Sequence, residues 1–576
     1  MSQVFKKFPF LIELFFNGSF ILLWSLRSAD KIPFKFQADE LKNYLEIGAF
    51  FIPIVIALVV FTNYLEAGSL EEFVRKYVFS LVIFVPLVIT WGDVEFAFWL
   101  SSAHLLSSVL TIYDDDSDET FKKERQGYAI FQGIKLRPAQ LVLFSFLAVI
   151  LLGTFLLLLP VSQKEGVNMS FIDGLFMATS ATCVTGLTTF SLNQSFSFFG
   201  QIVILILIQI GGLSIMTLYS SMAILLGKSL GVKDRVIMQD LLDISSLEDL
   251  LAMVGDIVKY TFFIELWGAI VLTLAFSHEG FEFGKALYYG IFHSISAFCN
   301  AGFSLFDDSL ESYAVNPAVH GTVAFLVILG GLGFIVLKEL KEFIVLRRSL
   351  ARLSLHTKVV LSISIVLTVV GMLFIFFSEF LTSFDSYTLW QKIQVSFFQS
   401  VTMRTAGFNT VPLTSFSPYT IFGMVFFMFV GASPGSTGGG IKTTTLAILF
   451  AGIRSTLLGR KKVGLFDRVI PSPMVVRATA LAVISIIVTL VFILILMLAE
   501  SKTTSYLPIF FEVVSAGGTV GLSLGVTPSL SLLGKSLIAI LMLIGRIGPL
   551  TLILAVAQRE KLPGDIEYPD GKIMMG

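Results

Sequence analysis

Residues 183–187 read CVTGL and close a run, FIDGLFMATSAT (171–182), that has a helical composition but falls short of the roughly 20 residues needed to cross a bilayer as a helix. The same grammar returns three times: CNAGF (299–303), RTAGF (404–408) and GTVGL (518–522). Their glycines, Gly186, Gly302, Gly407 and Gly521, are spaced by 116, 105 and 114 residues. Ten residues before each stands a phenylalanine, Phe176, Phe292, Phe397 and Phe511. A further glycine, Gly211, Gly330, Gly431 or Gly545, follows 25, 28, 24 or 24 residues on. In a chain with 46 glycines and 57 phenylalanines one such column would carry little, but three columns in register across four units argue for an internal fourfold repeat.

The composition sets the medium. Of 576 residues 55% are hydrophobic and 14% charged, with a mean hydropathy of +0.86, which is the balance of a polytopic, all-α membrane protein rather than a soluble domain. A net charge of −1 leaves no basic surface for nucleic acid. Two cysteines, Cys183 and Cys299, cannot build a Cys-rich metal site and are not expected to pair. The basic, apolar start MSQVFKKFPFLIELFFNGSFILLWSL has no small-residue cleavage site after it and reads as a retained anchor helix.

Residues 1–113 offer about four spans, near 8–26, 44–65, 77–92 and 95–113, followed by a polar cytoplasmic linker at 114–138. From there the chain divides into repeat 1 (139–228), repeat 2 (229–349), repeat 3 (350–460), repeat 4 (461–558) and a tail (559–576). Basic residues crowd the joints between repeats: Lys122, Lys123 and Arg125, then Lys228, Lys233 and Arg235, then Arg347, Arg348 and Arg352, then Arg460, Lys461 and Lys462. The segments directly after the pentapeptides of repeats 2 and 4 have no Lys or Arg. The positive-inside rule therefore puts the joints in the cytoplasm and the pentapeptides toward the outside. The mixed charges of the first 113 residues leave their topology open.

Extended backbone at membrane depth survives only inside protein or along a watery path, because each unpaired amide group in lipid costs several kcal/mol. Four such segments therefore call for one another, and around a common axis their carbonyls would form a ring able to replace the hydration shell of a cation. The short helices would aim the negative ends of their dipoles at it. The candidate ring residues are Cys183, Val184, Thr185 and Gly186; Cys299, Asn300, Ala301 and Gly302; Arg404, Thr405, Ala406 and Gly407; and Gly518, Thr519, Val520 and Gly521. Main-chain oxygens are expected to do the work, with the side chains of Asn300, Thr185, Thr405 and Thr519 free to point elsewhere.

Repeat 3 carries a second anomaly. In VGASPGSTGGGIKTTT, five glycines (Gly431, Gly435, Gly438, Gly439, Gly440) and Pro434 fall within ten residues, 431–440. They break the helix, and a broken helix at membrane depth points to a transport path. Lys442 just beyond needs a partner or water, since a cation in the bilayer costs at least about 2.5 kcal/mol. Arg546 poses the same problem and is expected beside this loop, bonding its carbonyls, standing as a barrier to cations, or clamping repeats together. Arg404 is expected behind the ring with Glu512 as a candidate partner. Glu265 reads as a contact to a neighbouring repeat or a second ion site, and His293 as a packing residue.

The strings TCVTGL, FCNAGFSLF, LSLHTK, TMRTAGFNTVPL, GASPGSTGGGIKTTT, SAGGTVGLS and YPDGKIMMG, ordered along the chain as in that family and spread over roughly 130 to 576, resemble the Trk/Ktr/HKT potassium-uptake superfamily, and within it the bacterial Ktr/Trk membrane subunits. The resemblance implies four M1-P-M2 units around a pseudo-fourfold axis, one pore per subunit, a homodimer in the inner membrane, and a cytoplasmic RCK-type nucleotide-binding ring as partner, so that nucleotide acts through the partner alone. It also implies that loop 431–440 gates the pore. Glycine at the first pentapeptide accompanies K+ in that superfamily and serine accompanies Na+; here all four are glycine, which favours K+ at the filter glycines with Na+ as a second ion. A sodium- or proton-coupled symporter stays open as the alternative, and the tail reads as part of the dimer and partner region or as a frayed terminus. An enzyme does not fit: His104, His278, His293, His320 and His356 are scattered singly, and no Walker-type string occurs.

Overall fold

Two of the four short runs start at side-chain N-caps, Ser170 before Phe171–Thr182 and Thr388 before Leu389–Thr402. A computed structural model of the protein describes residues 138–213 (168 apart), 247–345, 353–500 and 505–549, with helical fragments among 17–21, 45–60 and 94–105. The span expected at 77–92, the linker at 114–137, the basic joint at 228–235, Arg347, Arg348 and Arg352, and the tail at 559–576 lie outside the described residues. The chain separates into two compact units, Met1–Lys135 and Leu136–Gly576.

In the second unit the order long, short, long occurs four times: α1 (Pro138–Leu158), α2 (Phe171–Thr182), α3 (Phe198–Gly212); α4 (Leu247–His278), α5 (Phe283–Phe298), α6 (Pro317–Leu332) with α7 (Phe334–Val345); α8 (Leu355–Glu379), α9 (Leu389–Thr402), α10 (Pro418–Phe429) with α11 (Thr443–Leu457); and α12 (Ser472–Glu500), α13 (Tyr506–Gly518), α14 (Leu532–Ile547). Gly255–His278, Leu355–Glu379 and Ser472–Glu500 are long and apolar enough to cross a membrane. Many of their large apolar side chains stand exposed, among them Phe262, Phe263, Phe377 and Leu498, a pattern that a lipid surround explains. A two-stranded hairpin, β1 (Gly464–Leu465) with β2 (Arg468–Val469), links α11 to α12.

The break between α6 and α7 was not visible as such in the sequence. Gly333 takes φ 93° and the two helices meet at 105°, so repeat 2 bends where GGLGF (330–334) removes side chains from one turn.

Cores form between neighbouring units. One joins the first two units and reaches Phe398, Val401, Ala406 and Phe408 of the third; another joins the third and fourth. A further core packs Ile150, Phe176 and Leu187 against Ile493, Ile509, Val513 and Met542, closing the fourth unit onto the first. An ion pair of 2.8 Å between Lys535 on α14 and Asp173 on α2 spans the same junction.

A recurring carboxylate fixes where the second long helix begins. Glu379, the last residue of α8, accepts from the Ser417 N–H at 2.9 Å, and Glu500, the last of α12, accepts from the Ser531 N–H at 2.9 Å. Ser417 and Ser531 are the N-caps of α10 and α14. In the second unit Glu279 accepts from the side chain of Asn316, the N-cap of α6, at 2.5 Å. A carboxylate here meets free N–H groups and the positive end of the dipole. Glu500 is buried, so Glu500→Ala is expected to cost about 1–3 kcal/mol, read as a lower midpoint in thermal unfolding of the detergent-solubilised protein.

Candidate functional site

Each short helix ends in a left-handed residue that turns the chain out of the helix. Val184 (φ 55°), Asn300 (58°), Thr405 (67°) and Thr519 (50°) occupy that position, and two residues on Gly186, Gly302, Gly407 and Gly521 are left-handed again at 96°, 70°, 81° and 89°. In three units the turn closes by paired bonds, N–H of Thr185, Ala301 and Val520 to the carbonyls of Ser180, Ser296 and Ser515 at 2.7–2.8 Å, with a shorter-range bond beside each. The third differs: the Ala406 N–H reaches the Thr402 carbonyl at 3.0 Å. Three of the four left-handed residues are β-branched, the type that least tolerates this region. Such backbone costs about 1–3 kcal/mol per residue and persists where the surroundings over-determine it.

A hydroxyl supplies part of that determination. Ser180 and Ser515 accept from the N–H of Gly186 and Gly521, each at 3.1 Å. Ser296 and Thr402 instead donate to the carbonyls of Phe303 and Phe408 at 2.7 and 2.8 Å. These four were missed in the sequence, although a serine six residues before the glycine in three units was a readable signal. In the third unit the hydroxyl stands five residues before, and Phe398 is buried while Phe397 is only half-buried. The phenylalanine column at Phe397 is therefore corrected by one residue: α9 sits one position closer to its glycine.

The four glycines converge. A methyl placed on Gly186 would lie 2.6 Å from the Ala301 carbonyl oxygen; on Gly302, 2.7 Å from that of Ala406; on Gly407, 2.8 Å from that of Val520; and on Gly521 it would collide with that of Thr185. The contacts run first to second, second to third, third to fourth and fourth to first, always against the carbonyl of the residue preceding the next glycine. Behind them Gly211, Gly330 and Gly545 let the second long helices touch the carbonyls of Thr182, Phe298 and Gly517, each four residues before its glycine. Gly431 leaves that pattern and packs on Gly439 of its own loop.

Loop 430–442 separates α10 from α11, lies against the second, third and fourth units, and is linked to the first through Arg546. The N–H groups of Ser433 and Thr437 donate to the carbonyls of Gly331 and Gly330, and that of Phe334 donates to the Gly435 carbonyl at 3.0 Å. Gly439 N–H donates to Thr519 Oγ1 at 2.9 Å, and Gly438 has no room for a side chain beside Thr405 Oγ1. A methyl on Gly333 would lie 2.6 Å from the Pro434 carbonyl. Lys442 donates to the Gly438 carbonyl at 2.7 Å. Arg546, buried on α14, donates to the Thr437 carbonyl of the loop and to the Gly211 carbonyl of the first unit. The left-handed Thr405 and Thr519 thus turn their hydroxyls to the loop.

Arg404 and Glu512 do not meet. Arg404 donates to the Ser364 carbonyl and Thr368 Oγ1 at 3.3 Å and to Ser364 Oγ at 3.1 Å, all on α8. Glu512 accepts from Ser523 Oγ at 2.7 Å and from Thr527. The expected pairing is corrected: each finds local hydroxyls first, since neutral donors and acceptors on the adjacent segment satisfy a charge without bringing two distant side chains together. Glu265 accepts from Gln209 of the first unit at 3.2 Å and stands 3.7 Å from Cys299 Sγ. His293 is engaged at both ring nitrogens, by the Tyr289 carbonyl at 2.8 Å and Ser304 Oγ at 3.0 Å, and stacks on Phe306. Cys183 and Cys299 are free thiols, both buried.

Comparison with known proteins extends the geometry. The family model described as TrkH, cation transport protein, matches residues 135–565. The Ktr system potassium uptake protein B of Bacillus subtilis is 37% identical over 449 residues, covering 78% of this chain and 98% of that one. The potassium/sodium uptake protein NtpJ of Enterococcus hirae is 35% identical over 446 residues, covering 77% and 98%. The crystal structure of the potassium transporter TrkH from Vibrio parahaemolyticus shares the fold at a TM-score of 0.60 and 18% identity, covering 89% of this chain and 98% of that one. Apolar spanning helices and this match make the chain a multi-pass membrane protein of the cation-transporter class, not an enzyme. It belongs to the Trk/Ktr family of cation transport proteins.

Because Arg404 and Glu512 share no partner, a double-mutant cycle with Arg404→Met and Glu512→Gln should be additive within about 0.5 kcal/mol in thermal unfolding. A coupling well above that would place them in one network.

Proposed function

We propose that the protein takes up K+ across the cytoplasmic membrane through a channel-like pore whose filter is the ring of main-chain oxygens at Gly186, Gly302, Gly407 and Gly521. The observation that carries this reading is the closed cycle of glycine-to-carbonyl contacts, fourth unit back to first, in which no side chain fits. Four units then surround a pseudo-fourfold axis, and the helix C-termini of α2, α5, α9 and α13 face a cation with their partial negative charge. Relatives named for potassium uptake support the choice of ion.

Loop 430–442 serves as the gate. It touches Thr405 and Thr519 directly beneath two of the turns and is held by Arg546 to the first unit. A homodimer, a cytoplasmic RCK-type ring that controls the loop, cytoplasmic joints and an outward-facing filter complete the reading, resting on the basic joints and on the family. Purified protein in liposomes is expected to carry K+ without an imposed Na+ or pH gradient; strict dependence on either gradient would replace the channel-like reading by a symporter.

Gly186→Ser is expected to lose discrimination against Na+, measured as the Na+ to K+ flux ratio, because its β-carbon would displace the Ala301 carbonyl at a left-handed position. An unchanged ratio would remove Gly186 from the filter. Arg546→Ala removes a charge-assisted bond to the loop worth about 1.5–3 kcal/mol, so K+ flux without the partner should rise at least about tenfold, since roughly 1.4 kcal/mol on the loop's equilibrium is tenfold. Unchanged flux would take Arg546 out of the gate.

A further inference from the structure

A cavity of about 40 Å3 lies against loop 430–442 within the fourth unit. At roughly 10–15 Å3 per enclosed water it admits a few water-sized groups. Gly440 and Ile441 of the loop form one wall, Gly517 and Gly518 at the end of α13 another, and half-exposed Ser485 and Thr489 on α12 its rim. Among the described residues no charged side chain lines it. Its two side-chain hydroxyls are already committed to their own helix: Ser485 Oγ donates to the Leu481 carbonyl and Thr489 Oγ1 to the Ser485 carbonyl, each at 2.8 Å. Each hydroxyl has spent its single proton and keeps only acceptor lone pairs, while Phe429, Ile441, Val488, Val514, Leu541 and Ile544 make most of the lining apolar, so the cleft suits an apolar group. Next to the rim residues in sequence stand Val483, Ile486, Ile487 and Leu490, exposed by 48%, 46%, 54% and 53% on a helix long and apolar enough to cross a membrane, a surface suited to acyl chains.

We propose that this cleft binds the terminal methylene segment of a membrane-lipid acyl chain and that occupancy holds loop 430–442 in its present position; the second half rests on the gating role assigned to that loop. On its packed side Gly440 has nowhere to go: a methyl there would lie 3.0 Å from Gly431 Cα and 3.2 Å from the Gly518 carbonyl oxygen. Free volume lies on the cleft side. An apolar chain end in that volume blocks the displacement of Gly440 and Ile441 toward α12, and its withdrawal permits it. Lipid composition would thereby tune flux through the lateral face of the fourth unit, independently of any cytoplasmic partner.

The test uses the full chain in nanodiscs of phosphatidylcholine carrying brominated acyl chains, imaged by electron cryomicroscopy. Excess bromine density within the cleft, bounded by Gly440, Gly517 and Thr489, is expected. An empty cleft, or density continuous with the chain beyond Pro549, would overturn the assignment. Ser485→Phe, which puts a permanent apolar group at the rim, should lower K+ flux in liposomes at least threefold while leaving the Na+ to K+ flux ratio unchanged. Flux equal to or above that of the parent would overturn the coupling to the loop. Failure of the gating reading shows separately, as unchanged K+ flux in Arg546→Ala.

Discussion

Four main-chain turns that leave no room for a β-carbon are the constraint on which the rest of the structure depends. Each turn carries two left-handed residues in alternation, one of them not glycine, and a conformation costing about 1–3 kcal/mol per residue must be held from several sides. The helix C-cap bonds hold it from behind, the hydroxyls of Ser180, Ser296, Thr402 and Ser515 from the flank, and the neighbouring glycine from the front. Further out, Glu279, Glu379 and Glu500 set the start of the second long helices. Gly211, Gly330 and Gly545 then let those helices press on the short-helix carbonyls. The ring is thus the innermost layer of a nested arrangement in which each layer positions the next.

The third unit breaks the symmetry in a useful direction. Its turn lacks the longer cap bond, its short helix is shifted by one residue, and its second helix is interrupted by loop 430–442. What the loop loses in helical bonds it recovers from the other units, through Gly330, Gly331, Thr519 and Arg546. A segment whose backbone bonds lead outward to several partners can exchange them without unfolding its own helices. In the proposed gating that property would distinguish a movable element from a kink, and the loop lies directly against the left-handed Thr405 and Thr519.

Repetition made much of this legible. Glycine columns at spacings near 110 residues placed the four turns, and the density of glycine and proline at 431–440 placed the loop. Side-chain partners were not legible, because a charge in an apolar chain announces a need without saying what meets it. Arg404 found Ser364 and Thr368 on its own unit's first helix rather than Glu512, and Arg546 found carbonyls on two other units. The carboxylates at 279, 379 and 500 each end an apolar run, a regularity readable in retrospect whose use depends on the distant N-caps they reach. Gly330 was read as part of a column, whereas its neighbour Gly333 turns the helix by 105°.

The central claim is that a dehydrated monovalent cation sits on the axis among the carbonyls of Thr185, Ala301, Ala406 and Val520. Crystals grown in Rb+ in place of K+, measured at the rubidium absorption edge, test it most directly. The account predicts anomalous peaks on that axis, equidistant from the four units within the ring. Ordered Rb+ elsewhere in the membrane region with none at the ring would contradict it.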